Sequence, residues 1–253
     1  MPTMSPPTVR TSRLVHKRSA SCDASPETVR AVWRAADAVC FDVDSTITPI
    51  EGIDEIAGFC GVGKEVSEWT KQAMGGNLPF KTCLRERLNI IRPTRLQTET
   101  FMKTHPPLLT EGIQELVEAL RARGREVYLV SGGFDFFILP LAQLLDIPAE
   151  NVFCNRLMWY YNGEYAGFDE QAMTCDNGGK GRVCGYLKRT NGHQQLVMIG
   201  DGSTDLEAAP PADAFIGFGG VVVRERVRRE AKWFVNGFGE LTDELPPVDG
   251  DDL

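Results

Sequence analysis

The 253-residue chain has 42% hydrophobic and 25% charged residues, a net charge of -8 and a sequence pI near 5.0. It is long enough for one large domain, or for a core domain carrying a smaller one, and the acidic balance argues against a nucleic-acid or anionic-membrane surface. No run approaches the roughly 18 apolar residues a membrane span needs. Seven cysteines, at 22, 40, 60, 83, 154, 175 and 184, form no C-x-x-C pair. That scatter fits reduced thiols and not a disulfide frame or a zinc site.

Residues 1–24 are basic, with Arg10, Arg13, His16, Lys17 and Arg18 ahead of the first acid at Asp23. An organelle transit peptide has this composition. Pro2, Pro6 and Pro7 favour an untargeted disordered tail instead, so the expected compartment is the cytoplasm, with a plastid or mitochondrion as the alternative. Ser25-Pro26-Glu27 then reads as a capped helix start, followed at helical spacing by Val29, Val32, Trp33 and Ala36.

Ala38-Val39-Cys40-Phe41 predicts a buried strand that runs straight into Asp42 and Asp44. With Asp42 as the last strand residue, the period of two puts both carboxylates on one side of the chain. Like charges so close resist ionising unless a cation lies between them, and a hard ion such as Mg²⁺ takes oxygen ligands. On its own the stretch is also compatible with a strand and a polar turn.

From Pro49 to about Pro107 apolar residues fall at helical spacing (Ile53, Ile56, Ala57; Val66, Trp69, Ala73; Leu84, Leu88, Ile91), which predicts a helical cap over 49–107 inserted into a core of 25–48 and 108–243. Thr110 is expected to open a helix with Ile113, Leu116, Val117 and Leu120 on one face and Gly124 as its stop. Glu126 to Val130 predicts a strand ending on Ser131-Gly132-Gly133. A helical pattern around Ile138, Leu141, Leu144 and Leu145 leads to a short strand at Val152-Phe153-Cys154. Aromatic runs around Asn162-Gly163 predict a β-hairpin over 157–168. A helix carrying Val183 and Leu187 follows Gly178-Gly179-Lys180, and a strand at Leu196 to Ile199 ends on Gly200-Asp201-Gly202. A further run, Ala214 to Ile216, ends on Gly217. A helix is expected near 221–231, a short run at Trp233-Phe234-Val235, and a loose acidic tail over 244–253.

The alternation predicts an α/β fold, a doubly wound parallel sheet of Rossmann-like type with the helical cap and a small hairpin. In such sheets ligands bind beyond the carboxyl ends of the strands, so the Asp42, Ser131 and Asp201 tips should converge. Asp42, Asp44, Ser131, the Gly132 and Gly133 amides, Lys180, Asp201 and Asp205 would then place a metal beside an anion site, which points to phosphoryl chemistry. His16, His105 and His193 lie outside these motifs, leaving a carboxylate as nucleophile. Asp42 would attack phosphorus, and Asp44 would protonate the leaving alkoxide and later deprotonate water. Taken singly, Ser131-Gly132-Gly133 is an ordinary turn and Lys180 a solvated charge. The joint occurrence in order at successive element ends carries the reading.

Asp42-Val43-Asp44-Ser45-Thr46, Ser131-Gly132-Gly133, Lys180 and Gly200-Asp201-Gly202-Ser203-Thr204-Asp205 resemble the four motifs of the haloacid dehalogenase superfamily. Glu51 to Glu55, Ala73 to Gly76, Pro79-Phe80, Asn162 to Phe168 and Ala212 to Gly220 are similar to animal-type members of its phosphoserine phosphatase family. The resemblance covers about residues 30–243. It implies hydrolysis of O-phospho-L-serine to L-serine and phosphate, the last step of L-serine biosynthesis, with Mg²⁺ as cofactor and a homodimer as the assembly. It further implies Asp42 as nucleophile and metal ligand, Asp44 as acid/base and metal ligand through its backbone carbonyl, and Asp201 as the remaining metal ligand. Ser131, Gly132 and Lys180 would hold the phosphoryl group, supported by Thr204 and Asp205. Glu51 suits the substrate ammonium and Arg87 its carboxylate, with Met74 and Gly75 lining the same lid. Without the resemblance Arg87 reads as a solvated helix charge. The rivals are a capped phosphatase or phosphotransferase of the same superfamily for another small metabolite, a phospho-aspartate receiver module, and an inactive phosphoamino-acid binder.

Overall fold

A computed structural model describes residues 25–73 and 78–247. The expectations for residues 1–24, for Met74 and Gly75, and for the tail beyond 247 lie outside the described residues.

Helix α1 (Pro26–Ala35) starts as the sequence predicts, with the Ser25 hydroxyl accepting from the Thr28 amide and proline in the first turn. It leads into β1 (Ala38–Phe41), which is buried throughout and closes one residue before Asp42. Asp42 still donates its amide to the Ile199 carbonyl, so the ladder holds the first carboxylate in line. Four helices follow: α2 (Gly52–Phe59), α3 (Gly63–Ala73), α4 (Phe80–Ile91) and α5 (Arg95–Thr104). The chain leaves and re-enters the sheet at one place, because the Thr110 amide donates to the Ile47 carbonyl.

Thr110 does not open the next helix. α6 (Ile113–Arg121) begins three residues later, after Gly112 at φ 81, a left-handed conformation that glycine adopts without steric cost. β2 (Glu126–Phe134) outruns its expected end at Val130, and α7 (Asp135–Leu144), β3 (Val152–Asn155), β4 (Leu157–Trp159) and β5 (Tyr165–Phe168) follow. The β4–β5 hairpin closes through Tyr160, whose amide donates to the Glu164 carbonyl and whose carbonyl accepts from Gly163. With Gly163 at φ 85 this is a three-residue loop carrying a glycine bulge, not a two-residue turn. α8 (Gly179–Asn191), β6 (Leu196–Gly200), α9 (Ser203–Leu206), β7 (Ala214–Phe218), α10 (Glu225–Glu230), β8 (Phe234–Val235) and α11 (Gly239–Thr242) complete the chain. Gly217 thus lies inside β7, and the helix expected over 221–231 is confined to α10.

The six main strands pair in parallel in the order β3-β2-β1-β6-β7-β8. The chain moves outward from β1 through β2 and β3, then restarts on the other side of β1 with β6, so the order reverses between β1 and β6. Alternate side chains feed two cores. Val39, Phe41, Leu129 and Ile199 pack with α1, α6 and α7, while Ala38, Cys40, Val130 and Met198 pack with Val183, Cys184 and Leu187 of α8. Burial on both faces is why these strands read as unbroken apolar runs. Leu84 and Leu88 of α4 form a third cluster with Leu157, Tyr165 and Phe168 of the hairpin.

The described start of the acidic tail is tied down. Glu244 pairs with Arg30 and Arg34 of α1, and the Arg123 guanidinium donates to the Pro246 carbonyl. Under this strap Trp33 is fully buried, donates its indole N–H to the Leu241 carbonyl at 3.1 Å, and carries the Arg125 guanidinium over its ring. Trp33→Ala should lower the unfolding free energy by about 3–5 kcal/mol, the usual cost of emptying an aromatic core position, measured by denaturant titration.

Candidate active site

Three strand ends and one helix start deliver the predicted groups to one place. Asp42 and Asp44 follow β1, Ser131 lies in the end of β2, Asp201 follows β6, and Lys180 stands in the first turn of α8. Together with Glu51, Arg87, Gly132, Gly133 and Thr204 they line one cavity of about 420 Å³. Asp205 is buried directly beneath it.

Lys180 is the hub. Its ammonium lies 2.7 Å from Asp42 Oδ1 and 2.5 Å from Asp205 Oδ1. A cation in the first turn opposes the helix dipole, and burial also works against its charge. The two carboxylates outweigh both, and the Lys180 pKa is raised. Asp42 Oδ1 also accepts from the Val43 amide at 2.7 Å. Asp205 spends its second oxygen on the Gly202 amide at 3.0 Å. A Cβ on Gly200 would lie 2.4 Å from that oxygen, so the strand end needs glycine there.

Asp44 is held differently. Oδ1 accepts from the Gly52 amide at 2.7 Å and Oδ2 from the Ser131 hydroxyl at 3.2 Å. Burial, with the neighbouring charge of Asp42 added to it, pushes its pKa up to about 7. Ser45, the next residue, adopts φ 56, a conformation rare for residues with a side chain, and turns the loop so that its hydroxyl meets Glu51 at 2.8 Å.

Ser131, Gly132 and Gly133 do not form a turn at a helix start. They are the bulged end of β2, with Val130 paired to Phe153 and Phe134 to Asn155, and α7 begins only at Asp135. The Gly133 amide is turned inward and donates to Ser131 Oγ at 2.9 Å. A Cβ on Gly133 would sit 2.9 Å from Asp44 Oδ2, which explains a glycine here by close approach.

Carboxylate oxygens of Asp42, Asp201 and Asp205 lie within 4.8 Å of one another. The donors are all oxygen, the set that hard divalent cations take, and burial together with the charge of Asp42 raises the pKa of both Asp201 and Asp205. Asp42 and Asp201 line the cavity whereas Asp205, fully buried, does not, so the first two are the better placed to hold an ion entering it. The Asp44 carboxylate is turned away from this cluster.

Arg224 escaped the sequence reading. Its Nε donates to Asp201 Oδ2 at 2.6 Å and another guanidinium nitrogen to Glu51 Oε1 at 3.1 Å, so it spans the expected ligand and the expected ammonium partner. Four arginines between 224 and 229 carry no spacing that marks one of them. Arg87 reaches the cavity from the opposite wall, on α4. Burial lowers its pKa, and its Nε is buried without a hydrogen-bond partner among the described residues.

The model of haloacid dehalogenase-like hydrolases matches residues 36–213. Phosphoserine phosphatase of Rattus norvegicus is 55% identical over 217 residues, covering 86% of this chain and 96% of that protein. Among solved structures, DsGPDH of Dunaliella salina matches 88% of this chain with a TM-score of 0.77 and 38% identity, and the chain spans only 38% of that longer protein. A phospho-aspartyl intermediate analogue of phosphoserine phosphatase matches 83% of this chain and 99% of its own length, with a TM-score of 0.71 and 28% identity. The chain belongs to the haloacid dehalogenase-like hydrolases and, within them, to the phosphoserine phosphatase family.

Proposed function

We propose that the chain hydrolyses O-phospho-L-serine to L-serine and phosphate through an aspartyl-phosphate on Asp42, the closing step of L-serine synthesis. The observation that carries this is the pairing, across one cavity, of a phosphoryl-binding wall with Arg87. Asp42, Asp44, Ser131 and Lys180 form the first, and the half-buried side chain of Arg87 lines the same cavity. A phosphate monoester that also bears an α-carboxylate and an ammonium fits both walls, the ammonium being matched by Glu51.

Asp42 attacks phosphorus with Lys180 beside it to offset the charge that repels an anionic nucleophile. Asp44 supports both proton transfers, since a carboxyl titrating near neutrality can give a proton to the serine oxygen and take one back from water. Ser131 and Gly132 hold phosphoryl oxygens with Lys180, and Thr204 and Asp205 support that wall. A metal ion fits the oxygen donors of Asp42 and Asp201, joined by the Asp44 carbonyl. We assign it as Mg²⁺, which when bound neutralises phosphoryl charge. Residues 49–107 act as the cap over a core of 25–48 and 108–243. The reading includes a homodimer.

Phosphate release from phosphoserine should stop with EDTA and return with Mg²⁺. Asp42→Asn should lose essentially all turnover, and Asp44→Asn about 10²–10⁴-fold, the usual worth of a positioned acid/base. Wild-type rates in Asp42→Asn would falsify the covalent scheme. Arg87→Ala should cost roughly 30- to 4000-fold in kcat/KM for phosphoserine, the loss of a charge-assisted clamp of about 2–5 kcal/mol, but little for phosphoethanolamine, which lacks the carboxylate. Equal losses on both substrates would remove the assignment of Arg87. We place the activity in the cytoplasm. A fluorescent fusion to residues 1–24 should stay diffuse, and accumulation in plastids or mitochondria would reverse that placement.

A further inference from the structure

The bulge at the end of β2 raises an accounting question. Between the pairs Val130 with Phe153 and Phe134 with Asn155, three residues of β2 stand opposite Cys154 alone. Such a bulge takes backbone groups out of the ladder, and buried ones must find partners elsewhere. The Gly132 carbonyl finds Asn155. Fully buried at the end of β3, Asn155 donates from Nδ2 to that carbonyl at 2.8 Å and accepts at Oδ1 from the Thr174 hydroxyl at 2.9 Å.

The consequence runs in two directions. A peptide unit is planar, so fixing the Gly132 carbonyl also fixes the Gly133 N–H of the same unit. That N–H donates to Ser131 Oγ, and Ser131 Oγ donates to Asp44 Oδ2. Asn155 therefore governs, through one peptide plane, where the serine hydroxyl points and how the Asp44 carboxyl is held. On its other side, Thr174 is pressed against the first turn of α8. A Cβ on Gly179 would come within 2.6 Å of the Met173 carbonyl oxygen and 2.9 Å of Thr174 Cα. Lys180 is the next residue.

We infer that Asn155 is a positioning residue that sets the spacing between the Ser131 wall and Lys180, the two groups that close on the phosphoryl oxygens. It does not touch the substrate. The chemistry of its side chain suits the task, because an amide offers a donor on one arm and an acceptor on the other at fixed separation. Aspartate in its place would turn an acceptor toward the Gly132 carbonyl, and leucine would offer neither group. The inference rests on the phosphatase reading given above. A displacement of the order of 1 Å at a reacting centre can cost about 10²-fold in rate.

The test compares wild type with Asn155→Leu, Asn155→Asp and Thr174→Val, at saturating Mg²⁺. It reads kcat and KM for phosphoserine, inhibition by inorganic phosphate, inhibition by L-serine, and the thermal midpoint. Both Asn155 variants should lose about 10- to 100-fold in kcat and bind phosphate more weakly. Inhibition by L-serine, whose ammonium and carboxylate engage the Glu51 and Arg87 wall, should change far less than inhibition by phosphate. Thr174→Val, which removes a single hydroxyl, should move the same quantities in the same direction by a smaller factor, and it keeps the test valid should the Asn155 variants fold poorly. Wild-type kcat and phosphate inhibition in these variants would overturn the inference. So would losses that affect phosphate and L-serine equally, or that only follow the folded fraction. Failure of the wild type to release phosphate from phosphoserine would instead remove the functional reading beneath it.

Discussion

Asp42, Asp44, Asp201 and Glu51 line one cavity with Asp205 buried behind it, and the mutual repulsion of their charges is the constraint on which the rest depends. Burial makes Asp44, Asp201 and Asp205 harder to ionise, and the charge of Asp42 makes it harder still. The fold answers with fixed cations and backbone donors: Lys180 between Asp42 and Asp205, Arg224 against Asp201 and Glu51, and the Val43, Gly52 and Gly202 amides. Each strand end, the glycines beside it and the first turn of α8 can be understood as ways of bringing these compensating groups to one point. A dianionic substrate enters a site whose carboxylates are already met by fixed cations and neutral donors.

Much of this was legible before any coordinates. Strands buried on both faces show themselves as uninterrupted apolar runs, so β1 and β6 announced both their position and the acids at their ends. The glycines beside Asp201 and Lys180 marked the element tips, and the structure supplies the close approach behind them. The capping serine of α1 carried its own geometry. These are local signals, written within a few residues of the groups they place.

What stayed hidden is held by partners distant in sequence. The extension of β2 through Ser131-Gly132-Gly133 depends on β3, more than twenty residues on, and two glycines in a row are ordinarily a reason to end a strand. Arg224 lies 23 residues from Asp201 and 173 from Glu51, and nothing in its neighbourhood distinguishes it from Arg226, Arg228 or Arg229. Arg87 looks from the sequence like one charge on a polar helix face. Only the fold shows that its Nε is buried, with no partner among the described residues. The start of the acidic tail reads as loose because its apolar anchors are few, yet Glu244 answers two arginines more than 200 residues away.

The central place of β1 in the sheet also dictates when the protein can be completed. Val39 pairs with Val127 on one side and with Val197 on the other, so the strand that ends at the nucleophile stays half-laddered until the segment around residue 197 has been made and docked. Closing a loop of that length carries an entropic cost and slows assembly relative to a fold built from neighbouring contacts. Four helices, α2 to α5, precede both partners of β1 in the chain. A chain interrupted before β6 would contain Asp42 and Asp44 but lack Asp201, Asp205 and one of the two strands that hold β1 in place.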